Sequence, residues 1–306
     1  MKWSCCLGDP TQDPLYVVLP YFNFCGFRRR RQLFIEFVNR ISKTKDIRIV
    51  ISEALGSEPL PDLPVWHHVK HETPHPIWIK ENLVNLGVSE FPHDWKYMAW
   101  VDADLTFLNV NWVRDTLTEL ESYDIVQLFQ TAVNLGSTGE SLKIDKSFGY
   151  MHRDSGTPYT KTDRYGFWHP GYGWACTRKA FEQMSGLIDW AILGSGDRHM
   201  ALAWIGRVND SAPGNISTNY MKLLNDYQKA CKGLEVSYVP GTILHHWHGR
   251  FEDRRYRERW EILTKNKFDP LIDISITNSG VTCLTRRGLR FAKELQEYFT
   301  GRREDS

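Results

Sequence analysis

The sequence predicts an α/β protein: a mainly parallel, twisted sheet flanked by helices, with a long mid-chain loop excursion and a helical C-terminal part. Three observations predict it. Runs of β-branched and aromatic residues alternate with amphipathic stretches through about residue 130, the order of a parallel sheet covered on both faces. The apolar run Tyr97-Met98-Ala99-Trp100-Val101 ends abruptly in Asp102-Ala103-Asp104, acids placed where open α/β sheets bind ligands. From Thr131 to Phe167 the chain is rich in Gly, Ser, Thr, Lys and Asp and loses its periodicity, which predicts a surface excursion.

Each element has its own warrant. Leu15 to Phe22 reads as the first strand, and Arg31 to Ile41 as a helix with Leu33, Phe34, Phe37, Val38 and Ile41 on one face. Ile47 to Ser52 is a second strand and Pro64 to Val69 a third. Ile77 to Leu86 forms a helix that Gly87 ends. The Asp102 strand follows, then a helix over Trp112 to Leu120 and a strand over Asp124 to Leu128. Residues 1–14 are expected as a tail and 251–306 as a helical extension packed on the main domain, 15–250.

Composition narrows the classes. A chain of 306 residues, 42% hydrophobic and 25% charged, can bury a large core. A net charge of +1 gives no general attraction to nucleic acid. No apolar run has the length of a membrane helix, and Met1 to Asp9 turns polar too soon for a secretory signal, so a cytoplasmic setting is expected. The six cysteines form no Cys-x-x-Cys pair and read as free thiols. The sequons at Asn209 and Asn215 matter only in a secretory compartment.

Chemistry concentrates in four places. If the extended backbone persists, Asp102 and Asp104 point to one side, and two like charges held close call for a cation, with oxygen ligands favouring Mg²⁺ or Mn²⁺. The segment Tyr165 to Ala175 is dense in aromatics and glycines, suited to a ligand wall that includes Trp168, His169, Gly173 and Trp174, although any one ring there also suits a core. Asp197 follows a glycine turn at a helix start, where it either caps the helix or acts as a general base. His245, His246 and His248 offer imidazole ligands, and the arginines after them, Arg254 included, can hold a diphosphate or lie on a solvated helix face.

In order, the first strand, Asp102-Ala103-Asp104, Gly173-Trp174 leading to Gly196-Asp197, and His248-Gly249 resemble the nucleotide-sugar-dependent glycosyltransferases of the GT-A fold. The resemblance spans residues 15 to 260. It implies a metal-dependent transferase in which Asp102, Asp104 and His248, with His245 or His246 as substitutes, hold Mn²⁺ or Mg²⁺ against a nucleotide-sugar, most readily a UDP-sugar. Asp197 would be the base, though Gly196 stands where the family often has an acid. Pro20, Tyr21, Asn23, Lys80, Asn85 and Arg254 are placed to meet the nucleotide, Lys80 reading equally as a surface lysine. The pattern also looks like phage and base-J-type DNA glucosyltransferases, which implies a hydroxymethylated pyrimidine in DNA as acceptor and, for a viral protein, the host cytoplasm. Arg28 to Arg31 and the late arginines would then touch phosphates, and the aromatic wall near Trp168 and Trp174 would stack on a flipped base. A glycan or lipid-linked saccharide is the other acceptor, and an inactive sugar-nucleotide or glycan binding module the alternative of another class.

Overall fold

A computed structural model describes residues 13–56, 58–161 and 168–305. The expected tail lies almost wholly outside these residues, as do Cys5, Cys6 and the Tyr165-Gly166-Phe167 start of the aromatic segment. The chain begins with β1 (Leu15–Tyr21), α1 (Arg28–Ile41), β2 (Ile47–Ala54), β3 (His67–His71), α2 (Lys80–Val88) and β4 (Tyr97–Val101). It continues through β5 (Leu105–Phe107), α3 (Trp112–Leu120), β6 (Ile125–Gln127), β7 (Thr131–Leu135), β8 (Ser141–Lys146), α4 (Phe148–Arg153) and β9 (Gly173–Thr177). Then come α5 (Arg178–Gln183), α6 (Gly196–Trp204), α7 (Thr218–Ala230), β10 (Val236–Tyr238) and β11 (Thr242–His245). The last elements are α8 (Arg259–Lys265), α9 (Pro270–Asp273), β12 (Ile274–Ile276), β13 (Thr282–Leu284) and α10 (Ala292–Gly301).

The main sheet has seven strands in the order β10-β6-β9-β4-β1-β2-β3. All its neighbours pair in parallel except β9, which runs antiparallel between β4 and β6. Side chains alternate across the sheet and build a core on each face. Tyr16, Val18, Met98 and Trp100 pack on one side, toward α2 and α6. Val17, Leu19, Ala99 and Val101 pack on the other, toward α1 and α3. Burial on both faces explains why these strands read as continuous apolar runs, and each large apolar side chain so buried contributes about 1.5–3 kcal/mol.

A second sheet, β5-β11-β7-β8, fixes the geometry of the site. β11 pairs antiparallel with β5, setting His245 opposite Leu105, and the His246 amide donates to the Asp104 carbonyl over 2.8 Å. Residues 140 apart in sequence are thereby joined beside one carboxylate.

Several expectations change. α1 starts at Arg28, three residues before the expected Arg31, and β3 begins at His67 instead of Pro64. Gly87 lies inside α2 and does not end it; a Cβ there would sit 2.5 Å from Val18 Cγ1, so the glycine lets helix and sheet approach. The strand stops at Val101, and Ala103-Asp104 form a turn after Asp102, so strand alternation does not orient the two acids. The 131–167 segment carries β7, β8 and α4, with β7 central in the second sheet. Its polar composition hid an exposed edge strand: five of the six β8 side chains face solvent. The C-terminal part adds a β12–β13 hairpin to its helices and contributes Leu263, Phe268, Phe291, Leu295 and Tyr298 to the core around Trp100.

Candidate active site

The ends of β1 and β4, the starts of α2 and α6, and the turn after β11 converge on a cavity of about 690 Å³. Lys80, the first residue of α2, is 5% exposed and places its Nζ 2.7 Å from Asp102 Oδ1 and 2.9 Å from Asp197 Oδ2. A buried ammonium needs such partners, because desolvation of an unpaired one costs several kcal/mol. Burial raises the Asp197 carboxyl, Asp102 adds to the rise, and Lys80 opposes it. Asp197 is therefore more basic than an ordinary carboxylate.

Asp104 has different partners. Its Oδ2 is 2.9 Å from His248 Nε2 and 3.7 Å from His245 Nε2. Burial alone would raise this carboxyl, and the two imidazoles outweigh it and hold it well below the usual range. Burial lowers His245 against the pull of Asp104. Candidate ligand atoms of Asp104, His245 and His248 all lie within 4.8 Å of one another. Asp104 Oδ1 is buried without a hydrogen-bond partner, and His248 Nε2 receives an Arg254 Nη2 donor over 2.9 Å while also facing Asp104. An orphaned carboxylate oxygen beside two imidazoles fits a divalent cation, and the mixed oxygen and nitrogen set suits Mn²⁺ better than Mg²⁺. The expected Asp102 and Asp104 pair is thus divided, one acid on Lys80 and one on the histidines.

Positive charge lines the cavity. Arg30, Arg198, Arg254, Arg257, Arg259 and Arg302 surround it, and Arg254 is 8% exposed. His169 also lines it, stacked on Tyr172 at 4.1 Å, and burial lowers its imidazole to about 3, keeping the ring neutral. The Gly171 amide donates to His169 Nδ1 over 3.2 Å, which leaves the ring proton on Nε2.

Of the residues expected at the site, Pro20, Tyr21, Lys80, Asp102, Asp104, His169, Asp197, His245, His248 and Arg254 line this cavity. Five lie elsewhere. The Asn23 amide bonds Tyr21 and Phe27 and shapes the entry to α1. Asn85 ties α2 to Leu187 and Asp189. Trp168 packs on Phe148 and Tyr159. Gly173 lies in β9 between Val101 and Leu128, and fully buried Trp174 packs on Trp204 while donating to the Pro170 carbonyl. Their aromatic and glycine content signals close packing, the core use that such residues share with ligand walls. Sequence reasoning missed Trp78, Lys143, Asp145 and Tyr256 as cavity residues, while Tyr172 of the expected ligand wall does line it. The alternation of Lys143 and Asp145 along β8 was the available signal for that pair.

Fold and site together define an α/β chain whose strand ends and helix starts deliver carboxylates and imidazoles into an arginine-lined cleft. No protein-family model matches it, and no curated protein does. Among solved structures it is similar to the catalytic domain of Drosophila beta1,4-galactosyltransferase 7 in complex with xylobiose, at 14% identity and a TM-score of 0.43 over 90% of this chain and 93% of that one. A mannosyltransferase from Pyrobaculum calidifontis in complex with GDP-Man and Mn²⁺ aligns at 13% identity and a TM-score of 0.48, over 97% of this chain and 73% of that one. Glucosyl-3-phosphoglycerate synthase from Mycobacterium tuberculosis, in complex with Mn²⁺, UDP and glucosyl-3-phosphoglycerate, aligns at 10% identity and a TM-score of 0.40, over 85% of this chain and 79% of that one. Likeness at this level assigns no activity, so function rests on the site's own geometry.

Proposed function

We propose that this chain is a metal-dependent glycosyltransferase of the GT-A type, moving a sugar from a nucleoside-diphosphate donor to an acceptor hydroxyl. One observation carries the proposal: the Asp104, His245 and His248 cluster, with its orphaned carboxylate oxygen, shares an arginine-lined cavity with the basic carboxylate of Asp197. Asp104, His245 and His248 would hold the ion, and Asp102, ion-paired with Lys80, would face the donor. A bound divalent ion supplies neutralisation of charge on the departing diphosphate. Arg254 and its neighbours bind diphosphate oxygens through paired N–H donors. Asp197 takes the proton of the acceptor hydroxyl as its oxygen bonds to the anomeric carbon and the bond to the diphosphate breaks, an inverting displacement. A UDP-sugar is the donor we test first.

For the acceptor we propose a saccharide hydroxyl, since Trp78 and Phe251 line the cavity without being buried and sugar rings stack on such faces. Part of what supported a hydroxymethylated base in DNA is otherwise engaged, although the late arginines remain in the cavity. Arg29, Arg30 and Arg31 bond to Trp247, Glu304 and Pro59, and Trp168 and Trp174 are buried away from the cavity. Free Cys25, Cys176, Cys231 and Cys283 support a reducing, cytoplasmic setting, and among the described residues no helix is long and apolar enough to cross a membrane.

Turnover of a panel of nucleotide-sugars with Mn²⁺, offered saccharides and hydroxymethylated DNA in parallel, tests this. Metal-dependent transfer to a saccharide supports it, and transfer to DNA alone overturns the acceptor assignment. Donor binding without any turnover identifies a binding module instead.

A further inference from the structure

The segment Arg302–Asp305 is built into the back of the candidate metal site. Glu304 is 1% exposed and is gripped by Arg302 Nε at 2.6 Å and Arg30 Nη1 at 3.0 Å, two guanidiniums that keep it a carboxylate. Its Oε2 also lies 3.6 Å from His248 Nδ1, an atom with no hydrogen-bond partner. His248 therefore stands between two carboxylates, Asp104 at Nε2 and Glu304 at Nδ1.

Two further features hold the segment there. Gly249 has φ +85°, and a Cβ on it would meet the Arg303 carbonyl at 2.9 Å and Glu304 Cα at 3.0 Å, so only glycine leaves a seat for this backbone. The Asp305 carboxylate accepts from the Arg28 and Arg29 amides at 3.0 and 2.7 Å, capping α1 across the fold, because its own N-cap residue, Phe27, has no side-chain acceptor.

We infer that Glu304 is a positioning residue for the metal site, orienting His248 through Nδ1 so that Nε2 is presented to the ion beside Asp104. The inference rests on the metal site proposed above. When Nε2 ligates a cation the ring's remaining proton is on Nδ1, and the carboxylate nearest to it is Glu304. A carboxylate behind a ligating imidazole fixes ring orientation and raises its basicity, and losing it typically weakens metal affinity 10–100-fold. Asp305 and Gly249 anchor the segment that delivers it.

The test is Mn²⁺ affinity without donor, followed by the EPR signal of the free ion, in wild type, Glu304→Gln, His248→Ala and the double variant. Glu304→Gln is expected to weaken Mn²⁺ binding about tenfold or more. In the His248→Ala background the same change is expected to cost nothing further, since Glu304 acts through that ring. Glu304→Asp, which keeps the charge, restores part of the affinity and replaces Glu304→Gln should that variant not fold. Affinity within twofold of wild type for a folded Glu304→Gln overturns the inference, as does an equal loss in both backgrounds. Absence of Mn²⁺ binding by wild type instead overturns the metal site itself.

Discussion

Lys80 Nζ lies 2.7 Å from Asp102 Oδ1, and the same ammonium reaches Asp197 from the first turn of α2. One buried cation thus neutralises the acid at the end of β4 and the candidate base on α6. Lys80→Met leaves two carboxylates without their counterion, and breaking a buried pair in this way costs about 3–5 kcal/mol. Thermal and urea unfolding should show that loss, partly recovered at low pH, where the raised Asp197 carboxyl takes a proton. Wild-type stability in the variant would show that Lys80 is not required as a counterion.

Behind this pair sits Glu81, 2% exposed, its carboxylate accepting from Trp78 Nε1 over 3.1 Å. Burial, followed by the charge of Asp197, raises it from an ordinary 4.5 to about 8. Between those values the folded chain keeps a proton that the unfolded chain releases, so Glu81 makes stability fall as pH rises through that window. Its slope is at most about 1.4 kcal/mol per pH unit. Urea unfolding at several pH values should give a flatter profile for Glu81→Gln, which stays neutral throughout. An unchanged slope would mean that Glu81 is ionised in the fold.

The three late histidines separate by role. His246 Nε2 pairs with Thr106 Oγ1 at 2.8 Å, outside the cluster of Asp104, His245 and His248. His246→Ala should bind Mn²⁺ nearly as wild type does, while His245→Ala and His248→Ala should each lose more than about tenfold in affinity. Calorimetry on the three variants checks the order, and a loss confined to His246→Ala would reverse the assignment.

Gly87→Ala tests the seating of α2, the helix that carries Lys80. A methyl there must displace Val18, a fully buried residue of β1, and overpacking of this kind costs about 1–3 kcal/mol. Val18→Ala added to it should recover part of the loss, giving a coupling of about 0.5 kcal/mol or more in a double-mutant cycle. Simple additivity would remove the claim of direct contact.

These residues also mark how far the sequence could be read. The Trp112–Leu120 helix and the β1 and β4 strands were legible because a strong apolar period sets them. Gly87 was misread as a helix end because a glycine that terminates a helix and one that admits a neighbouring strand look alike in one dimension. The roles of Asp102 and Asp104 were legible as acids near a ligand, but their division between Lys80 and the histidines depends on β5 pairing with β11. Trp168 and Trp174 went to the core, since aromatic content does not say which face of a sheet it will cover. The capping of α1 by Asp305, 276 residues away from Arg29, had no local trace at all.

The central claim is that Asp104, His245 and His248 hold a divalent ion against a nucleoside-diphosphate sugar in the arginine-lined cleft. Calorimetric titration of wild type and Asp104→Asn with Mn²⁺, then with UDP- and GDP-sugars, tests it most directly. Wild type should bind Mn²⁺ and take up a donor only when the ion is present, and Asp104→Asn should do neither. Binding by Asp104→Asn equal to that of wild type, or no uptake of ion or donor by either protein, would contradict the account.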